Sequence, residues 1–115
     1  MSNVEFKDAD HSIFELFDWI KKRPAIFLDG DPSLKRLRSF LVGYDCGLGR
    51  VHIALRDHAI FDQFNDWVAA HLGFGNSTSG WCNMILAKSG NDDAKAYYFF
   101  FDLLDQFRRE KGLTK

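Results

Sequence analysis

Four histidines, two cysteines and a scatter of aspartates are the side chains here that can bind a metal, move a proton or act as nucleophiles, and their spacing argues against most of that chemistry. His11, His52, His58 and His71 form no H-x-x-x-H, no H-E-x-x-H and no Cys/His pair at the separation a tetrahedral zinc site needs, so no metal site is expected. His58 follows Asp57 near a helix start and reads as a surface or capping residue. Cys46 and Cys82 make no C-x-x-C pair; both fall inside apolar helical patterns and read as buried thiols. Ser77-Thr78-Ser79 lies near His71, but without a G-x-S-x-G elbow such a run ahead of an apolar segment is a helix cap before it is a nucleophile. Gly47-x-Gly49 lacks the third glycine, the preceding strand and the following helix start of a phosphate cradle. Asp92-Asp93, at a helix start, is accounted for by capping and the helix dipole without an acid–base role. No catalytic residue, cofactor or enzyme activity is therefore expected.

Lys35-Arg36-Leu37-Arg38 is the one group with a nucleic-acid flavour, because Lys35 and Arg38 share a helix face and can straddle phosphates. The next residues, Phe40-Leu41-Val42-Gly43-Tyr44, continue as core, where a helix-turn-helix reader needs a second exposed helix. A net charge of −1 also lacks the basic excess of a general nucleic-acid binder. Charge is nevertheless segregated along the chain. Residues 1–20 carry five acids against Lys7, residues 21–38 six bases against Asp29 and Asp31, and residues 57–105 seven acids against Lys88 and Lys95. Two readings stand: the charges line solvated helix faces, or the 57–105 region presents an acidic patch to a basic partner.

The elements that would position these residues are helical. With 115 residues and 46% apolar content, the chain is long and greasy enough to close one core without disulfides. The expected fold is all-α: a single compact bundle of about five helices forming one domain over residues 1–115, with residues 1–11 a loosely ordered N-terminal segment. The longest apolar run, Tyr97 to Phe101, is far below a membrane span, and the polar start carries no signal-peptide core, so a cytoplasmic protein is expected. Ser12 or Asp10 caps a first helix bearing Ile13, Phe14, Leu16, Phe17, Trp19 and Ile20, ended near Lys22 by Arg23-Pro24. Asp31 and Pro32 are expected to open a second, with Leu34, Leu37, Phe40, Leu41 and Tyr44. Gly43 to Leu55 is expected to bend or become a loop, because Gly43, Gly47 and Gly49 lower helix propensity. Asp57 caps a helix reaching Leu72 and stopped by Gly73; Ser77-Thr78-Ser79 caps another from about Trp81 to Leu86. A last helix starts near Asn91, with Phe99 on its polar side as either a covered residue or an interface anchor.

Three segments carry a family resemblance. They are Trp19-Ile20-Lys21-Lys22-Arg23-Pro24 leading through Leu28 to Ser33-Leu34-x-x-Leu37-x-x-Phe40-Leu41-x-Gly43-Tyr44; Phe64-x-x-Trp67-Val68; and Ser77-Thr78-x-Gly80-Trp81-Cys82-Asn83-Met84-Ile85-Leu86 with the tail Phe100-Phe101-x-Leu103-Leu104-Asp105-x-Phe107. From about Ile13 to Phe107 the pattern resembles small bacterial immunity proteins of contact-dependent inhibition and other polymorphic toxin systems. The resemblance implies a cytoplasmic antidote that binds the C-terminal domain of one cognate toxin, often a nuclease, and blocks its active or substrate-binding surface. Against a basic, nucleic-acid-directed toxin the candidate contacts are Asp57, Asp62, Asp66, Asp92, Asp93 and Asp102, with Trp81, Tyr98 and Phe99 as aromatic anchors. A helical adaptor with no toxin partner, and an enzyme whose site is assembled from scattered His and Asp, remain the alternatives. Direct nucleic-acid or membrane binding is not expected.

Overall fold

Ser12 opens the first helix as its sequence implies. In the computed structural model, which describes residues 5–113, α1 (Ile13–Lys22) starts with a capping box. The Glu15 N–H donates to Ser12 Oγ at 3.1 Å and the Ser12 N–H donates back to Glu15 Oε1 at 3.4 Å. Arg23-Pro24 ends α1, and Ala25 to Leu28 continues as the short helix α2 (Pro24–Leu28), with proline at its first position.

The next helix, α3 (Leu34–Arg50), departs from expectation at both ends. Ser33, not Asp31, caps it, because Ser33 Oγ accepts from the Arg36 N–H at 3.1 Å while its own hydroxyl donates to Asp93. The helix then runs through Gly43, Gly47 and Gly49 without bending into a loop. Leu34 and Leu37 are buried, and Phe40, Leu41, Tyr44 and Leu48 pack against the core, so tertiary burial along one face outweighs three unfavourable propensities. A Cβ added at any of those glycines would meet nothing within 4 Å, so they face open space.

The chain is not purely all-α. Two strands, β1 (Lys7–Ser12) and β2 (Ile53–Arg56), pair in parallel with Lys7 opposite Ile53 and Ala54 opposite Asp8; the register is irregular before Ser12 meets Arg56. The polar segment expected to be loosely ordered thus carries β1, while residues 1–4 lie outside the described residues. The helix expected from Asp57 to Leu72 is divided at Asp62-Gln63 into α4 (His58–Phe61) and α5 (Phe64–Leu72), the latter closed by Gly73 at φ 79°. The remaining helices are α6 (Trp81–Lys88) and α7 (Asp93–Glu110).

Phe64 sits at the centre of the core, with ring centroids 5.3 Å from Phe61, 5.3 Å from Phe107 and 5.7 Å from Phe100. These edge-on and offset contacts tie α4, α5 and α7 together. On α7 the buried side is Ala96, Tyr97, Phe100, Phe101, Leu103, Leu104 and Phe107. Phe99 is half-buried against this core, whereas Tyr98 is 60% exposed. Arg108 on α7 clasps Asp18 on α1 with Nη1 at 2.8 Å and Nη2 at 3.4 Å, and its guanidinium lies over the Phe14 ring.

Candidate partner-binding surface

Between α3, α4 and the start of α6 the fold leaves a cleft of about 240 Å³. Its floor and walls are Ile13, Leu41, Leu55, Phe61 and Trp81; its rim carries Arg38, Asp45, His58 and Asp62. The Trp81 ring is held against Phe100, 4.9 Å between centroids, and edge-on to Phe61 at 6.0 Å, so this wall is fixed by the core rather than free to swing. Its backbone is fixed too. The Trp81 N–H donates to Asn65 Oδ1 at 2.8 Å, which replaces the cap expected from Ser77-Thr78-Ser79. Gly80, at φ 86°, makes the turn into α6, a backbone conformation that strains a residue carrying a Cβ.

On the rim, His58 Nδ1 stands 3.8 Å from the Asp62 carboxylate, one helical turn away, with both side chains more than half exposed. Asp57 adjoins them at φ 64° and makes no side-chain cap hydrogen bond, so its carboxylate faces water. The cleft therefore combines an apolar slot with a rim of mixed charge, two carboxylates against the Arg38 guanidinium, with Asp57 outside the lining beside His58. That arrangement suits the stem and head of a lysine or arginine: methylenes against Leu41 and Trp81, cationic end toward Asp45 and Asp62.

Of the sequence-derived candidates, the structure brings Asp62 and Trp81 together at the cleft, with Asp57 beside them. Three other acids already have internal partners. Asp66 Oδ1 accepts from the Ser77 hydroxyl at 2.5 Å, and Asp92 Oδ1 accepts from the Lys95 N–H at 3.1 Å as the cap of α7. Asp93 accepts from the Ser33 hydroxyl and, at 3.0 Å, from the Lys35 N–H, so it clasps the N-terminus of α3. Tyr98 and Asp102 are exposed one turn apart on α7, and Phe99 between them is half-buried against the core.

Arg38, Leu41, Val42, Asp45 and His58 were not among the candidates. The signal for the first four is their i, i+3, i+4, i+7 spacing on α3; Arg38, Leu41 and Val42 fall within the helix expected to reach Tyr44, and only Asp45, past Gly43, falls in the stretch expected to bend. The thiols also separate: Cys82 is buried, and burial pushes its pKa up, whereas Cys46 is exposed, contrary to the expectation that both are enclosed. At the edge of β1, a hydrogen bond from His11, with its charge when protonated, holds the Asp10 carboxyl below its ordinary range. The other ring nitrogen of His11 meets the Tyr44 hydroxyl at 2.9 Å, which joins β1 to α3.

Among the described residues no group of three or more His, Cys, Asp or Glu side chains is placed to hold a metal ion, and no helix is long and apolar enough to cross a membrane. Compared with protein-family models, curated proteins and solved structures, the chain matches none.

Proposed function

We propose that this chain is an immunity protein that binds a cognate toxin domain in the cytoplasm and neutralises it by masking its active or substrate-binding surface. The observation that carries the reading is the core-walled cleft between α3, α4 and α6, whose rim sets the carboxylates of Asp45 and Asp62 against a single guanidinium, Arg38. A toxin that acts on RNA or DNA must present cationic side chains to phosphates. A basic side chain seated in the cleft, between Asp45 and Asp62 and over Trp81, is withheld from that substrate. Asp57 and Asp62 add a negative field that steers the encounter and speeds association at low salt. Because the walls are core-packed, the surface is preformed and little conformational entropy is lost on docking.

The experiment is co-expression with a candidate toxin domain taken from the neighbouring gene, scored by cell survival and by co-purification. Wild type is expected to protect and to co-purify. Asp62→Lys, an exposed substitution that leaves the core untouched, is expected to weaken binding by at least about 30-fold, corresponding to the lower end of the roughly 2–5 kcal/mol for a charged contact truncated in an interface. Protection by wild type without a complex sinks the masking mechanism, and so does full-strength binding by Asp62→Lys.

A further inference from the structure

Arg38, Leu41, Val42 and Asp45 follow one another at i, i+3, i+4 and i+7 along α3, and all four line the cleft. Read in the reverse direction, the stripe keeps its apolar centre and exchanges its charges end for end. Val42 is 54% exposed, an apolar side chain only half covered by the described residues. No ion pair occupies Arg38 or Asp45 among the described residues, although Lys21, Arg56 and Arg108 all find carboxylates.

We propose that two copies of this chain pair through α3, antiparallel about a two-fold axis passing between Leu41 and Val42. Under that symmetry Arg38 of each copy faces Asp45 of the other, so one pattern makes two ion pairs, while Leu41 and Val42 of the two copies meet at the centre. Seven residues separate Arg38 from Asp45, about 10 Å along the helix, so the ion pairs flank the apolar contact on both sides. Parallel pairing sets Arg38 against Arg38 and Asp45 against Asp45. An antiparallel pairing over the middle of the exposed face of α3 sets Lys35 against Arg50. Only the Arg38–Asp45 stripe is self-complementary. Gly49 follows Asp45 one turn later with open space at its Cβ position, so no bulky side chain stops the helices from approaching closely. The pairing rests on the charge order of α3 and not on the toxin reading. Where both hold, dimer and toxin compete for one cleft, and the dimer is the resting form.

The test is sedimentation velocity from about 1 to about 200 µM, the range suited to a contact at the small end of specific interfaces. Wild type is expected to show a monomer–dimer equilibrium. Arg38→Glu and Asp45→Arg each turn two attractions into two repulsions and are expected to raise the dimer Kd at least about tenfold, and the double reversal Arg38→Glu/Asp45→Arg to return it to within about threefold of wild type. Both side chains are exposed, and far-ultraviolet circular dichroism confirms that each variant is folded. A wild type that stays monomeric across the range overturns the proposal, as does a Kd unmoved by either single reversal or unrestored by the double. Protection from toxin with a strictly monomeric wild type removes only this inference. A charge-dependent dimer that gives no protection removes only the immunity reading.

Discussion

Replacing Asp93 with alanine separates an internal structural role from a partner contact. Its carboxylate takes the Ser33 hydroxyl and the Lys35 N–H at 3.0 Å, while Ser33 Oγ in turn takes the Arg36 N–H at 3.1 Å. One anion, carried at the start of α7, thus satisfies donors at the open end of α3, where unpaired N–H groups give the helix a partial positive charge. Ser33 is buried, but Lys35 is exposed, so the two hydrogen bonds are worth about 1 kcal/mol each rather than the larger figure for buried charged partners. The dipole interaction adds about 0.5 kcal/mol at a half-exposed site. Asp93→Ala is therefore expected to lower stability by about 2.5 kcal/mol, which for a domain of this size is a drop in Tm of about 10 °C. Asp93→Asn keeps acceptor oxygen but loses charge and should fall by about half as much. Thermal unfolding followed at 222 nm gives Tm, and urea titration gives the free energy. The effect of Ser33→Ala combined with Asp93→Ala should be less than additive, because both remove one bond. A Tm for Asp93→Ala within about 2 °C of wild type refutes the clasp.

Tyr97 is buried with its hydroxyl unpaired among the described residues, so Tyr97→Phe should raise stability by about 1 kcal/mol in urea titration; a loss of more than that amount contradicts the assignment. Burial, with a smaller contribution from Tyr98, raises the Tyr97 pKa from 10 to about 12, so the folded state holds this proton more tightly than the unfolded chain. This group leaves folding stability unchanged with pH below 10 and lowers it as pH rises from 10 towards about 12, where the unfolded chain gives up the proton first; the fall should be shallower in Tyr97→Phe, read from urea midpoints across that range. Arg108→Ala removes the clasp to Asp18 and the cover over Phe14, and should destabilise by about 2 kcal/mol, less than for a fully buried pair because Asp18 keeps access to water. A change below about 0.5 kcal/mol would show that the pair is ornamental. In native protein a thiol reagent should label Cys46 at once and Cys82 only on unfolding, measured by mass spectrometry; equal labelling contradicts the burial.

Helix signals written within a few residues were legible in the sequence. Ser12 with Glu15, the Arg23-Pro24 break, Gly73 as terminator and Asp92 as cap are each contacts over a turn or less, and the structure places them where the spacing implies. What the sequence hid depends on distant partners. Lys7 pairs with Ile53, and a parallel pairing across such a separation leaves no turn signature; β1 offers only Ala9 as a buried apolar side chain. Ser33 beats Asp31 to the cap of α3 because Asp93, sixty residues away, binds its hydroxyl. Gly43, Gly47 and Gly49 read as a break because propensity is local, whereas the burial that keeps α3 helical is not. The same limit governed the candidate site. The acid count identified a region, but whether an aspartate is free depends on what folds beside it: Asp66, Asp92 and Asp93 are engaged internally, while Asp62 meets Trp81 across a cleft whose other wall, α3, lay outside the acidic region.

The central claim, that this chain works by covering a basic partner, is tested most directly by titrating it into the isolated toxin domain in a calorimeter at several salt concentrations. A one-to-one complex is predicted, with affinity that falls as salt rises and falls again in Asp62→Lys. Absence of heat and of a complex at any salt concentration, while the toxin remains folded and active, would contradict it.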